Sequence, residues 1–215
     1  MTPRAASLAD FPVSDLDSCF LVSPVDRYAE SFLAGAREFE AENRLDSTYA
    51  GALGYNLRQL QRDFGAFVMN LKGLADKSRI RDYGYCDKVL WLIDRDEYIG
   101  QTSIRPDLGT SYLVTYGGHI GYSIRPSMRE RGYGMKILAL ALDKAANMNV
   151  SRVLITCDSD NHASKKIIER NGGVFESAMP MQGEILSIEG RKQGEDVDKL
   201  RYWFDLPEAQ KGRAL

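Results

Sequence analysis

The sequence predicts an α/β (α+β) fold, a sheet flanked by helices. Strand-like apolar runs alternate with stretches of helical periodicity through the centre of the chain. In the helix that follows the hexapeptide RERGYG at 129 to 134, apolar residues occupy nearly the whole circumference (Ile137, Leu138, Leu140, Ala141, Leu142 and Ala145), so that helix should be buried.

In chain order, CFLV at 19 to 22 reads as a short strand stopped by Ser23-Pro24. From Val25, the residues Tyr28, Phe32, Leu33, Ala36 and Phe39 recur at three- and four-residue steps, which gives a helix with one apolar face. The loop RLDSTYAGALGY follows, and then a second helical pattern, Leu57, Leu60, Phe64, Phe67, Val68 and Leu71, runs to about Ala75. KVLWLID at 88 to 94 is strand-like, and RDE at 95 to 97 is the turn of a hairpin into YIGQTSIRP. GGHIGYSIRP at 117 to 126 is another strand, closed at Arg125-Pro126 because a residue before proline is pushed out of helical geometry. The buried helix then runs to about Met148, and RVLITCDS at 152 to 159 is an interior strand. Asp160 or Asn161 caps a helix ending at Asn171-Gly172, where the glycine takes the left-handed turn. Two last strands, Val174 to about Ile188 with interruptions and Leu200 to Leu206, are joined by the polar turn GRKQGEDVD.

The 215 residues, 44% hydrophobic and 27% charged, suit one soluble domain with some elaboration. A net charge of -2 argues against nucleic acid as a partner of the whole molecule, since that affinity rests on many Lys and Arg contacts. The first twenty residues hold Asp10, Asp15 and Asp17 and no apolar core of a signal peptide. No run reaches the roughly 18 to 20 apolar residues that span a bilayer, so no membrane partner and a cytoplasmic location are expected. Cys19, Cys86 and Cys157 are widely spaced and form no CxxC pair, as reduced, buried thiols would be. With only His119 and His162 beside them, no metal is expected.

A strand, a glycine turn and a helix N-terminus together hold a phosphate, because unpaired N–H groups and the positive dipole end face the anion. RERGYG fits this arrangement, with Arg125 and Lys136 adding charge beside Arg129 and Arg131. A dinucleotide fingerprint fails because Ile137 stands where the third glycine is needed, no GK pair exists for a P-loop, and the kinase signatures are missing. A phosphate site with a shorter glycine spacing remains. Arg129-x-x-Gly132-x-Gly134 after the strand GHIGYSIRP, then DSDNHASKKIIERNGG about thirty residues on, resembles the acetyl-CoA-binding core of the GNAT superfamily of N-acetyltransferases. The likeness is close over 117 to 175. Its IGY strand and Asn-x-x-Ser spacing are similar to the branch with ribosomal-protein N-terminal acetyltransferases and many bacterial acetyltransferases.

That resemblance implies one acetyltransferase domain over 19 to 206, with an N-terminal extension at 1 to 18 and a tail at 207 to 215. It implies a mixed, mostly antiparallel sheet of six to seven strands, with the fourth and fifth splayed for coenzyme A. Acetyl-CoA would be the co-substrate. Its pyrophosphate would lie on the backbone of Arg129, Glu130, Arg131, Gly132, Tyr133 and Gly134. Ile124 and Arg125 would meet the pantetheine arm through their main chain, Asn161 would bond that arm, and Ser164 would lie near it. The acceptor would be a primary amine of a small molecule or peptide, attacking directly in a ternary complex.

An amine acceptor must lose a proton first, since a lysine-like pKa is about 10.4. His119 is the candidate base, in the strand position where relatives carry a glutamate, and the alternative for it is a structural strand histidine. A backbone N–H at Ser123 or Ile124 is the candidate oxyanion donor. Where many relatives carry a tyrosine acid the chain has Ile168, which leaves Ser164 or water for that role. His162 reads as a surface helix residue, and Cys157 leaves open a covalent acetyl-cysteine route. The helices over about 25 to 44 and 56 to 77 would wall the acceptor side, with Tyr49 and Tyr55 able to touch substrate. A non-catalytic acyl-CoA sensor and a transferase of longer acyl groups are the alternative functions. The late strands over 174 to 206 offer a surface for a homodimer.

Overall fold

The computed structural model describes residues 16–79 and 85–207. The predicted N-terminal extension up to residue 15 and the tail from 208 lie outside the described residues. Strands β1 (Phe20–Val22), β2 (Lys88–Asp94), β3 (Glu97–Ile104) and β4 (Ile120–Ile124) form one sheet in that order, and β5 (Arg152–Asp158), β7 (Asp198–Asp205) and β6 (Val174–Pro180) form a second. The helices are α1 (Ala29–Ala41), α2 (Leu57–Arg62), α3 (Phe64–Gly73), α4 (Tyr133–Asn147), α5 (His162–Arg170) and α6 (Glu184–Ile188). Every laddered pair is antiparallel, so the expected mixed central sheet is instead divided into two antiparallel sheets.

Period-two alternation sends the two faces of the four-stranded sheet to different helices. Val89, Trp91 and Ile93 meet α1, α2 and α3 through Phe32, Leu60, Phe64, Phe67 and Leu71. Phe32 is fully buried, stacked on Trp91 with ring centroids 4.8 Å apart and packed against Phe64, Phe67 and Tyr98. On the opposite face Leu90, Ile104 and Ile120 pack with Leu138, Ala141 and Ala145 of α4 and with Val153, Ile155 and Phe204 of the second sheet. That helix leaves Ala139, Asp143 and Asn147 exposed, so its apolar circumference is buried only in part.

Three boundaries differ from the sequence reading. The helix expected over 56 to 77 breaks at Asp63 (φ -126°, ψ 39°), which lets Phe64 and Phe67 turn into the aromatic core behind a separate α2. The strand expected from Val174 to Ile188 ends at Pro180, whose missing N–H cannot continue a ladder, and Glu184–Ile188 is helical. Leu113–Gly117, of which only Gly117 was assigned from sequence, as the start of a strand, forms one turn of π-helix leading into β4.

Candidate active site

The two sheets meet at the start of β4. Gly118 bridges Ile155, the His119 N–H donates to Leu154 O at 2.7 Å, and Thr156 Oγ1 donates to Tyr116 O at 2.6 Å. Only glycine fits position 118. Its φ is +75°, and a Cβ there would stand 2.7 Å from Leu154 O. Beyond His119 no ladder joins β4 to β5 among the described residues, which leaves one edge of β4 without a strand partner.

Register decides which β4 amides face that opening. The Arg105 N–H bonds His119 O and the Arg125 N–H bonds Ile99 O, so the pairs Ser103↔Gly121 and Gln101↔Ser123 exchange the ladder bonds between them. The N–H of Ser123 therefore points into β3. Those of Tyr122 and Ile124 point to the open edge. This corrects Ser123 as an oxyanion donor, and its Oγ donates instead to Ser47 O at 2.8 Å. Ile124 stays at the edge, where its carbonyl accepts from Arg129 Nε at 3.2 Å.

At the far end of the opening, Pro126 ends the strand and a turn leads into α4. Glu130 (φ +61°) and Gly132 (φ +86°) are both left-handed, and no side chain caps the helix. The first bonds into α4 come from Met135 and Lys136, both to Gly132 O, so the N–H groups ahead of them have no intrahelical partner. Such a turn is an anion cradle in its own right. Gly134 serves another end: a Cβ there would lie 2.5 Å from Ile167 Cδ1, so it lets α4 close on α5.

Two predicted cations are already matched. Arg125 pairs with Glu38 at 2.7 Å, and Arg129 pairs with both carboxylate oxygens of Glu42 at 2.9 and 2.8 Å. Burial works against it, yet hydrogen bonds from Arg125 and Ser127 hold the Glu38 carboxyl below its usual range. These pairs tie α1 to the turn and use charge that the sequence reading assigned to a polyanion. Arg131 is exposed and touches only Met128 Sδ, at 3.8 Å among the contacts described.

His119 is 8% exposed, and its Nδ1 accepts the Leu154 N–H at 2.9 Å. In the neutral ring the proton then resides on Nε2, so neither nitrogen offers a free lone pair. Burial pushes its pKa below the usual value and the Arg105 charge adds to this. The geometry is that of a pin between the sheets.

Asn161 caps α5 by accepting the Ser164 N–H at 3.0 Å, and Ser164 Oγ lies 2.9 Å from the Tyr122 hydroxyl. Burial pushes the Tyr122 phenol well above its usual value. Burial and then Asp158 push the neighbouring Cys157 thiol up to about 11, leaving it protonated and a poor nucleophile. Ile168 is fully buried in the core. His162 is exposed in the first turn of α5.

Sequence reading missed a polar cluster on the α1 side of β3. Asp87, 1% exposed, accepts from the Tyr49 hydroxyl and from Arg105 Nη2 at 3.3 Å, and Arg105 reaches Ser103 Oγ at 3.3 Å. Tyr49, read from sequence as able to touch substrate, is part of this cluster. Tyr55, which accepts from Asn70 at 2.8 Å and packs on Phe67, belongs to the core. Among the described residues no group of His, Cys, Asp and Glu could hold a metal, and no helix is long and apolar enough to cross a membrane.

Residues 36–174 match the acetyltransferase (GNAT) domain family. Solved structures of similar fold include a ribosomal L7/L12 alpha-N-protein acetyltransferase in complex with coenzyme A (17% identity, TM-score 0.58, covering 88% of this chain and 95% of that one). A microcin C7 self-immunity acetyltransferase in complex with acetyl-CoA and AMP is 18% identical, with a TM-score of 0.57 over 88% of this chain and 93% of its own. A ribosomal-protein-alanine N-acetyltransferase from Brucella melitensis is 17% identical, with a TM-score of 0.54 over 87% and 99%. No curated protein matches the chain by sequence.

Proposed function

The chain belongs to the GNAT acetyltransferase family, and from that premise we propose that it transfers an acetyl group from acetyl-CoA to a primary amine by direct attack in a ternary complex. The observation that carries this reading is the open edge of β4 running from the apex at His119 to the uncapped N-terminus of α4. Backbone N–H groups over Glu130 to Gly134 hold the pyrophosphate, and the Gly132 conformation (φ +86°) gives that backbone its cradle shape. Arg129 and Arg131 flank it, Ile124 and Arg125 border the arm through their main chain, and Asn161 meets the arm while capping α5.

Acetyl-CoA supplies a carbonyl activated as a thioester. The amine nitrogen, having given its ammonium proton to water, forms the new C–N bond as the C–S bond breaks; it then releases its second proton to water, and coenzyme A departs as the thiolate. The carbonyl oxygen, negative in between, is met by the N–H of Ile124 or Tyr122, the two that register turns outward. The leaving sulfur takes a hydrogen bond from the Tyr122–Ser164 hydroxyl pair, which stands in for the tyrosine that Ile168 replaces. A phenol with a raised pKa is a poor full proton donor. It suffices here because a thiol pKa near 8.5 makes the sulfur a tolerable leaving group.

Thiol release from acetyl-CoA across peptides, amino acids, polyamines and aminoglycosides tests the reading. Acceptor-dependent release is expected. Acetyl-CoA binding without release for any amine would point to the sensor alternative, and release only from longer thioesters to a different acyl group.

A further inference from the structure

Residues 181–197, between β6 and β7, take no part in the transfer proposed above, yet they carry a core of their own. Met181, Leu186 and Val197 are buried together, with Ile185 and Tyr116 packed on them. Just past α6 the Arg191 N–H donates to Leu186 O at 2.7 Å. Glu195 accepts from Arg191 Nη1 at 3.4 Å and from the Lys192 N–H at 3.0 Å, so the bend that carries Arg191 is bonded on both sides.

From there Arg191 reaches the turn between β5 and α5. Its Nη1 and Nη2 donate to the two oxygens of Asp160 at 2.8 and 2.7 Å, a fork on a planar carboxylate, and Nη2 also donates to Asp158 Oδ2 at 2.5 Å. Lys199 donates to the other oxygen, Asp158 Oδ1, at 2.6 Å and to Glu189 at 2.7 Å. Burial works against it, yet hydrogen bonds from Lys199 and Arg191 hold the Asp158 carboxyl below its usual range. The base of the turn has a second tie, since the Ser159 N–H donates to Asp198 O at 2.8 Å and the Asp198 N–H to Ser159 Oγ at 3.1 Å. Past Ser159, Arg191 is the one partner of the Asp160 side chain among the contacts described. Asn161 comes next. Its Oδ1 accepts the Ser164 N–H, and its Nδ2 has no partner among the contacts described. With φ -83° and ψ 71° its backbone is outside the helix, so its amide is placed by the turn before it as well as by α5.

We propose that Arg191 is a positioning residue for coenzyme A: by clamping Asp158 and Asp160 it fixes the turn that presents the Asn161 amide to a carbonyl of the pantetheine arm. The inference rests on the acetyl-CoA reading above. It gives the 181–197 segment a part in cofactor binding that requires no contact with the cofactor.

The test titrates the full chain in a calorimeter with acetyl-CoA and with 3′-phospho-ADP, the nucleotide half of coenzyme A without its arm. Wild type, Arg191→Gln, Asn161→Ser and the double variant are compared, and thermal melts check that each is folded at the temperature of titration. Serine keeps an acceptor for the Ser164 N–H and removes the amide donor. Arg191→Gln and Asn161→Ser should each weaken acetyl-CoA by about 5- to 10-fold, the scale of one hydrogen bond, and leave 3′-phospho-ADP within about 2-fold of wild type. The double variant should lose no more than about 10-fold, where independent effects would multiply to about 25-fold or more. Asp160→Ala, at a half-exposed position, removes the fork from its other side and should show the same arm-selective loss. A merely structural role for Arg191 predicts no change, or equal weakening of both ligands. Either of those results, a multiplied loss in the double variant, or unchanged acetyl-CoA affinity in Asn161→Ser would overturn the proposal and leave the acetyl-CoA reading standing. Failure of wild type to bind acetyl-CoA would overturn that reading and this inference with it.

Discussion

Replacing His119 separates a pin from a base. In His119→Ala the buried Leu154 N–H loses its acceptor, at about 1–3 kcal/mol. The edge-on contact with Trp203, with ring centroids 6.2 Å apart, is lost as well, at about 0.5–1.5 kcal/mol. A total near 3 kcal/mol corresponds to a fall in Tm of about 10 °C for a chain of this size. His119→Asn presents an amide oxygen near the place of Nδ1 and should recover about half of that. Because the folded imidazole has a lowered pKa, its contribution to stability is full above the unfolded value of about 6.5. It is lost as the pH falls from there through the folded value, where the unfolded chain binds the extra proton. Thermal melts from pH 7.5 to 5 should therefore show a slope in wild type that both variants reduce. Turnover of His119→Asn, measured as thiol release with the best amine, should stay within a few-fold of wild type. A loss of about 100-fold or more at an unchanged Tm would make His119 the base after all.

Tyr122→Phe should lower kcat about 10- to 100-fold while the Kd for acetyl-CoA holds, because it removes a donor to the leaving sulfur and little volume; an unchanged kcat would remove Tyr122 from the reaction. Gly118→Ala forces a Cβ against Leu154 O at φ +75° and should destabilise by about 2–4 kcal/mol in urea unfolding. Phe32→Ala, at the centre of five packed rings, should cost about 3–5 kcal/mol, read as a lower urea midpoint with an unchanged slope.

Elements with a local signature were legible in the sequence. The period of Tyr28, Phe32, Ala36 and Phe39 gave α1, KVLWLID and its RDE turn gave the hairpin, and Asn161 with Gly172 bounded α5. The glycine turn before α4 was legible because its chemistry is contiguous. The polar pairings behind the first sheet were not, since their residues are gathered from distant segments. Asp87 lies 38 residues from Tyr49 and 18 from Arg105, and Glu38 lies 87 from Arg125, so neither pairing leaves a mark in any window. On its own, Glu38 reads as the solvated face of a helix. The direction of the Ser123 amide depends on the parity of the β3–β4 register, which one strand's sequence does not encode. The role of His119 turns on one backbone donor, Leu154, from another sheet.

The apex at Gly118 and His119 is also the point about which any tilt of the second sheet against β4 would turn. From Gly118 to Ile124 is six residues, about 20 Å of extended strand. A rotation of about 3° at the apex would carry the far end sideways by about 1 Å, a displacement on the scale that costs an enzyme about 100-fold in rate. A small side-chain change in the few residues around Leu154 would thus be magnified at the far end of β4. The same change near Ile124 would not be, and the tolerance of β4 to substitution should rise along its length away from the apex.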